Sequence, residues 1–95
     1  MAEKIKTIFK YEVPFEHYPL VEIPDGSKVL SVGQQNGQMF LWAEVNPDGI
    51  KDTIQLCVCG TGLDTPEPRN CFSFLGRVDM PNGHVWHVYL RTEFS

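Results

Sequence analysis

The segment KVLSVGQQNGQMFLWAEV, residues 28–45, decides the fold. Two runs rich in β-branched and aromatic residues flank Asn36-Gly37, the dipeptide best suited to a two-residue type I′ turn between antiparallel strands. The turn sets the strand register, and Leu30, Val32, Leu41 and Ala43 are expected to share one core layer. The predicted pairs are Gln35 with Gln38, Gly33 with Phe40, Val32 with Leu41, Ser31 with Trp42 and Leu30 with Ala43.

Period-two alternation recurs along the rest of the chain, separated by turn residues. A second Asn-Gly, at 82–83, is expected to pair Met80 with Val85 and Val78 with His87. TGLDTPEPRN, residues 61–70, is the longest loop. The remaining predicted strands are 4–13, a short edge strand at 20–23, 52–60, 71–80 and 84–94.

These patterns predict an all-β fold of about seven strands, with no stretch of ten or more residues that has the helical period. We expect a small antiparallel β-sandwich or a partly open barrel. Ninety-five residues, 42% of them hydrophobic, fit a single domain spanning 1–95 that folds by itself.

Charge and composition exclude several classes of function. Twelve acidic against eight basic residues give a net charge of −4, which opposes binding to duplex nucleic acid. No apolar run approaches the roughly 20 residues that span a bilayer, and we expect no secretion signal. The three cysteines, Cys57, Cys59 and Cys71, cannot all pair within one chain, which favours a reducing cytosol and a packing role.

Catalytic and metal motifs are not predicted. His84 and His87 are three apart on a predicted strand, so they point to opposite faces and cannot share a metal. Cys57 and Cys59 share a face, but their spacing from Cys71 and from those histidines matches no structural zinc site. No nucleophile elbow, metalloprotease or deaminase motif occurs. We therefore expect no catalytic residue, no metal and no cofactor.

One stretch allows a ligand-binding hypothesis. In CGTG, residues 59–62, two glycines around a threonine can bring backbone N–H groups close to a phosphate. Arginines can add charge, and Trp86 or Trp42 can stack on a base. The structural alternative is a bulge or tight turn that needs glycine. The candidate ligand-binding residues are Gly60, Thr61, Gly62, Arg69, Trp86, His87 and Arg91.

One further set of motifs spans most of the chain. Its positions are Lys10, Tyr11, Pro24, Gly26, Leu30 to Val32, Gln35, Gly37, Leu41 to Ala43, Val45, Pro47, Gly60 to Gly62 and Trp86 to Val88. Together these motifs resemble a family of small uncharacterised proteins of tailed bacteriophages and prophages. Most of the matching positions are turn glycines and strand interiors, so the resemblance implies a fold and no site residues.

The resemblance implies a phage-encoded protein in the cytoplasm of the infected bacterial host. We expect a non-catalytic accessory or counter-defence factor that binds and inhibits a host protein. The contact would be made through an exposed strand edge or through the acidic, proline-containing loop 61–70. One alternative is a sponge for a nucleotide-type immune signal, built on the candidate residues. This alternative predicts a concave site and a homo-oligomer, because a chain this short offers few pockets. Another is a minor structural phage protein. None of these requires a membrane.

Overall fold

Antiparallel strands form nearly all the regular structure, as the alternation predicts. The computed structural model describes residues 6–92, and within them the only helical element is a single 3-10 turn, Arg69–Cys71. The part of the first predicted strand before residue 6 and the end of the last lie outside the described residues. The strands are β1 (Thr7–Glu12), β2 (Leu20–Pro24), β3 (Lys28–Gln35), β4 (Gln38–Val45), β5 (Lys51–Gly60), β6 (Phe72–Asp79) and β7 (Val85–Arg91).

The seven strands form two antiparallel sheets that do not close into a barrel. A three-stranded sheet has the order β1-β4-β3, and a four-stranded sheet has the order β2-β5-β7-β6. No described residues form a helix with the length and apolar character needed to cross a membrane.

The main core lies between the two sheets. Strand β4 alternates strictly, and its buried face presents Met39, Leu41, Ala43 and Val45 at 1% exposure or less. Burial of each larger side chain contributes ~1.5–3 kcal/mol, so this one strand supplies a substantial part of the stability. The buried side chains that complete the cluster are Val13, Val21, Ile23, Leu56, Val58, Val78, Met80 and Val88.

The β3–β4 register agrees with the prediction near the turn and departs from it further away. Asn36 and Gly37 have φ values of 54° and 81°, the left-handed conformation that a two-residue turn needs. A bulge then shifts β3, so that Ala43 pairs with Val29 and not with Leu30. The predicted core position of Leu30 is therefore wrong, because one extra residue turns its side chain to solvent. The pairs found as predicted are Gln35 with Gln38, Gly33 with Phe40, Val32 with Leu41 and Ser31 with Trp42.

The predicted β6–β7 register is wrong by one residue. Met80 N donates to His84 O, and Val78 pairs with Trp86 instead of His87. The cause is that Pro81 joins Asn82 and Gly83 in a three-residue connection, of which only Gly83 has a positive φ, 90°. Proline fixes its φ near −65° and favours this type of turn. The shift puts Trp86, and not His87, on the face of β7 that meets the core.

Both faces of β5 are buried, by different parts of the chain. Leu56 and Val58 face the other sheet, whereas Cys57 and Cys59 lie on the opposite face in a second, smaller cluster. Residues 17–19 run beside β5 there: Val58 N donates to His17 O at 2.8 Å and Leu56 N to Pro19 O at 2.9 Å. The second cluster also contains Cys71 and Phe72, with Tyr18 and Tyr89 packed against it.

Candidate functional site

Trp86 occupies one end of the sandwich, where aromatic rings and a glycine surround its indole. Its ring meets Phe15 edge to face, with centroids 4.9 Å apart, and His84 at 6.3 Å. It also lies against Gly60, its partner across the strands, where an added Cβ would be 3.1 Å from the indole Cζ3. Gly60 is therefore needed for this close approach and not for a positive φ, whereas Gly62 has a φ of 89°.

Three cavities of about 360, 370 and 520 Å³ surround the indole. All three are lined by Trp86, and each pair shares a second lining residue, so they adjoin one another around this side chain. We call the three cavities together the Trp86 groove. Two of its wall side chains, Phe15 and Leu63, are 56% and 65% exposed. The residues that define the groove are Phe15, Glu16, Leu63, Asp64, His84 and Trp86.

The indole N–H of Trp86 is buried and has no hydrogen-bond acceptor among residues 6–92. Leaving such a donor unpaired in a protein interior costs about 1–3 kcal/mol. Tryptophan usually finds one partner for this group when it is buried.

The electrostatic character of the groove is acidic. Glu16 and Asp64 contribute carboxylates to the second cavity. Within the described range, no lysine or arginine lines any of the three cavities. The groove therefore favours a ligand with apolar and basic groups and disfavours a phosphate.

Three of the candidate ligand-binding residues come together, and a fourth touches them. Gly60, Thr61 and Trp86 line the largest of the three cavities of the groove. The Thr61 hydroxyl lies 3.1 Å from His87 Nε2, but His87 is on the opposite face of β7 from Trp86. Gly62 adjoins them in the turn that follows β5.

The two arginines of the ligand-binding hypothesis, Arg69 and Arg91, lie outside the Trp86 groove. Arg69 donates to the carbonyl of Phe72 at 2.9 Å, and its guanidinium lies 4.8 Å from the centre of the Tyr89 ring. Arg91 donates to Gln55 Oε1 at 2.8 Å. On β7, Tyr89 and Arg91 are an odd number of residues from Trp86 and so face away from the groove. The seven predicted residues thus fall into two groups on opposite faces, and a ligand role for either group stays a prediction.

Sequence reasoning missed one residue that the fold brings to the cysteines. That residue is His17. One of its ring nitrogens and the sulfurs of Cys57 and Cys59 all lie within 4.8 Å of one another. The two sulfurs are 3.4 Å apart. His17 precedes the thiols by forty residues and lies between two prolines, so no spacing rule points to it. We call these three residues the thiol–histidine cluster.

Comparisons with known proteins identify the family. The chain belongs to the family described as a domain of unknown function (DUF7352), which it matches over residues 4–95. No curated protein and no solved structure matches it. The family membership thus covers almost the whole chain without a described activity.

Proposed function

We propose that this protein is a non-catalytic binding protein that holds a segment of a partner protein in the Trp86 groove. The observation that carries the proposal is the groove itself, three adjoining cavities around the Trp86 indole with exposed Phe15 and Leu63 walls. An extended segment has apolar side chains to cover these walls and basic side chains to pair with Glu16 and Asp64.

The charge of the groove supports a protein partner over a nucleotide. Glu16 and Asp64 would repel a phosphate but attract a lysine or arginine of a bound segment. The arginines that a nucleotide sponge would use are engaged on the other face of the four-stranded sheet. The overall charge of −4 also favours a basic partner surface.

We further propose that the protein is phage-encoded and acts in the cytoplasm of the infected bacterial host, where the segment belongs to a host protein that it inhibits. The resemblance of its turn and strand motifs to small proteins of tailed phages supports this setting. A minor structural role in the phage particle would use the same groove against another virion protein, and identification of the partner distinguishes the two.

The test is site-directed photo-crosslinking in the bacterial host. A photoreactive amino acid replaces Leu63 in the groove or, as a matched control, Ile50, which is 85% exposed. The control lies at the opposite end of β5, ~30 Å away at the usual rise per residue. We expect one bacterial protein to be crosslinked from Leu63 and not from Ile50, through a segment that carries a basic residue.

Binding of that purified partner then tests the groove directly. We expect Leu63→Asp to weaken the complex at least tenfold, because it removes an apolar wall and adds a charge, whereas Ile50→Asp leaves the Kd unchanged. Equal crosslinking from both positions, or an unchanged Kd for Leu63→Asp, would contradict the proposal. A selective rise in Tm with one nucleotide, by about 10 °C at 100 times its Kd, would favour the sponge instead.

A further inference from the structure

The thiol–histidine cluster lies on the face of β5 that is turned away from the main core. Cys57 and Cys59 alternate onto this face, and both are buried, with 0% and 3% exposure. His17 is exposed to solvent, so the two thiols of the cluster are buried and its imidazole is accessible from solvent. We propose that these three side chains form a binding site for a thiophilic divalent cation, Zn²⁺. His17 also lines the second cavity of the Trp86 groove, so the site adjoins the groove, but it does not depend on the proposed function of the groove.

The distances suit this metal. In a tetrahedral zinc site, two thiolate sulfurs lie roughly 3.8 Å apart, and a sulfur and an imidazole nitrogen roughly 3.6 Å apart. The two sulfurs here are at 3.4 Å, and all ligand atoms of the cluster are within 4.8 Å of one another. A change of no more than about 1.2 Å in any of these separations therefore closes the set around an ion.

The backbone holds the ligands in place before any ion binds. Cys57 and Cys59 are fixed on one face by the pairing of β5 with β7, through Tyr89 and His87 respectively. His17 is tied to the same strand, because its carbonyl accepts from Val58 N at 2.8 Å. Folding has thus already ordered the backbone of the three ligands, so the binding of an ion requires little further loss of conformational entropy.

The charge balance of the site suits a divalent cation. Zn²⁺ displaces one proton from each thiol, and two thiolates with a neutral imidazole then leave the site without net charge. A neutral site is the form that a buried position tolerates best.

An outer layer of hydrogen bonds surrounds the ligands. The Tyr18 hydroxyl bonds to Cys57 and also accepts from Glu67 N at 3.3 Å, which ties the long loop to the cluster. Pro66 of that loop is fully buried. Such outer partners orient metal ligands. The three protein ligands leave the fourth tetrahedral position to a water molecule on the solvent side of His17.

The experiment measures Zn²⁺ itself in the full-length reduced protein. After incubation with Zn²⁺ and gel filtration, we expect about one Zn²⁺ per chain for the wild type, by elemental analysis. Proton release on binding is read from the dependence of the calorimetric heat on the buffer. Co²⁺ as a substitute is expected to show thiolate-to-metal charge-transfer absorption, which reports sulfur ligation directly.

Variants assign the ligands. His17→Ala changes an exposed side chain, so it keeps the fold while lowering the Zn²⁺ affinity by at least ~100-fold, the upper range for loss of a mere outer partner. Cys59→Ala is expected to abolish the Co²⁺–thiolate absorption. His87→Ala is the matched control, because His87 lies opposite Cys59 across the strands but is not one of the three ligands.

Three outcomes would overturn the site: no stoichiometric Zn²⁺ in the wild type, a His17→Ala variant that binds as the wild type does, or an equal loss in His87→Ala. The first would make the thiols packing groups only. None of these outcomes affects the groove experiments, since Leu63→Asp leaves all three ligands in place, so the two proposals fail separately.

Discussion

The two faces of β5 are both buried, yet they differ in what covers them and in what they can do. On one face, Leu56 and Val58 pack against a second sheet, in a cluster composed of apolar side chains. On the other, Cys57 and Cys59 pack with Cys71, Phe72 and Tyr18, and the Tyr18 hydroxyl ties the long loop to this cluster by accepting from Glu67 N. The facing sheet covers the first face with closely packed apolar side chains. The irregular segment beside β5 instead brings polar groups to the second face, the imidazole of His17 and the hydroxyl of Tyr18. Chemistry is therefore concentrated on the loop-covered face.

The largest expected effect is on the sheet-covered face. Leu56→Ala should lower the free energy of unfolding by ~2–5 kcal/mol, because the side chain is fully buried and its neighbours in two packed sheets cannot relax into the space. Cys57→Ala, the adjacent position on the other face, should cost about 1 kcal/mol. Urea denaturation of both variants measures the difference. Equal losses would mean that the two faces contribute alike and would break the comparison.

A smaller effect is expected from pH on the loop-covered face. The pKa of Cys57 rises from its ordinary 9.0 to about 12 in the folded protein, so between these values the unfolded chain loses a proton that the folded chain retains. The contribution of the Cys57 thiol to the free energy of unfolding is therefore fully present below pH 9, and it is lost as the pH rises toward 12. Denaturation curves across this range should show the fall.

The control for this effect is Cys57→Ala. Burial also raises the pKa of Tyr11, which contributes in the same direction at high pH. The part of the slope that belongs to Cys57 is the difference between the wild type and the variant. Identical slopes would show that the thiol does not titrate as its burial implies.

The smallest expected effect is His17→Ala in the metal-free protein. The side chain is exposed, so removing it should change the free energy of unfolding by no more than about 0.5 kcal/mol. Thermal melting with a chelator present measures this. A large loss would mean that His17 holds its segment on β5 through its ring, for instance by its contact with Tyr18 at 4.5 Å, and would give the cluster a structural role.

Strand positions were predictable wherever local chemistry decides them. Asn36-Gly37 predicted the β3–β4 register near the turn, because few residues adopt positive φ at both central positions. Further along, the bulge displaced Leu30, which alternation cannot encode. At 81–83 the proline changed the loop length, so the nearby Asn-Gly pair predicted the wrong partners for Val78 and Met80.

The candidate site was predictable only in part. Gly60, Thr61 and Trp86 do line one cavity, since β5 and β7 are neighbours and their ends meet. The walls supplied by Phe15 and Leu63 come from irregular segments, for which the sequence offers no register. Arg69 and Arg91 carry the charge that a phosphate needs, but Arg91 is an odd number of residues from Trp86 on the same strand and so lies on the other face. The sequence itself contains this spacing.

By itself the sequence determined the all-β class, the number of strands and the core face of β4 at Leu41 and Ala43. These follow from local rules, because a period of two assigns each side chain to a face. Only the tertiary structure decided that His17 reaches Cys57 and Cys59, and that Phe15 meets Trp86. The route of an irregular segment across a sheet depends on packing between residues far apart in the chain, and no local period records it.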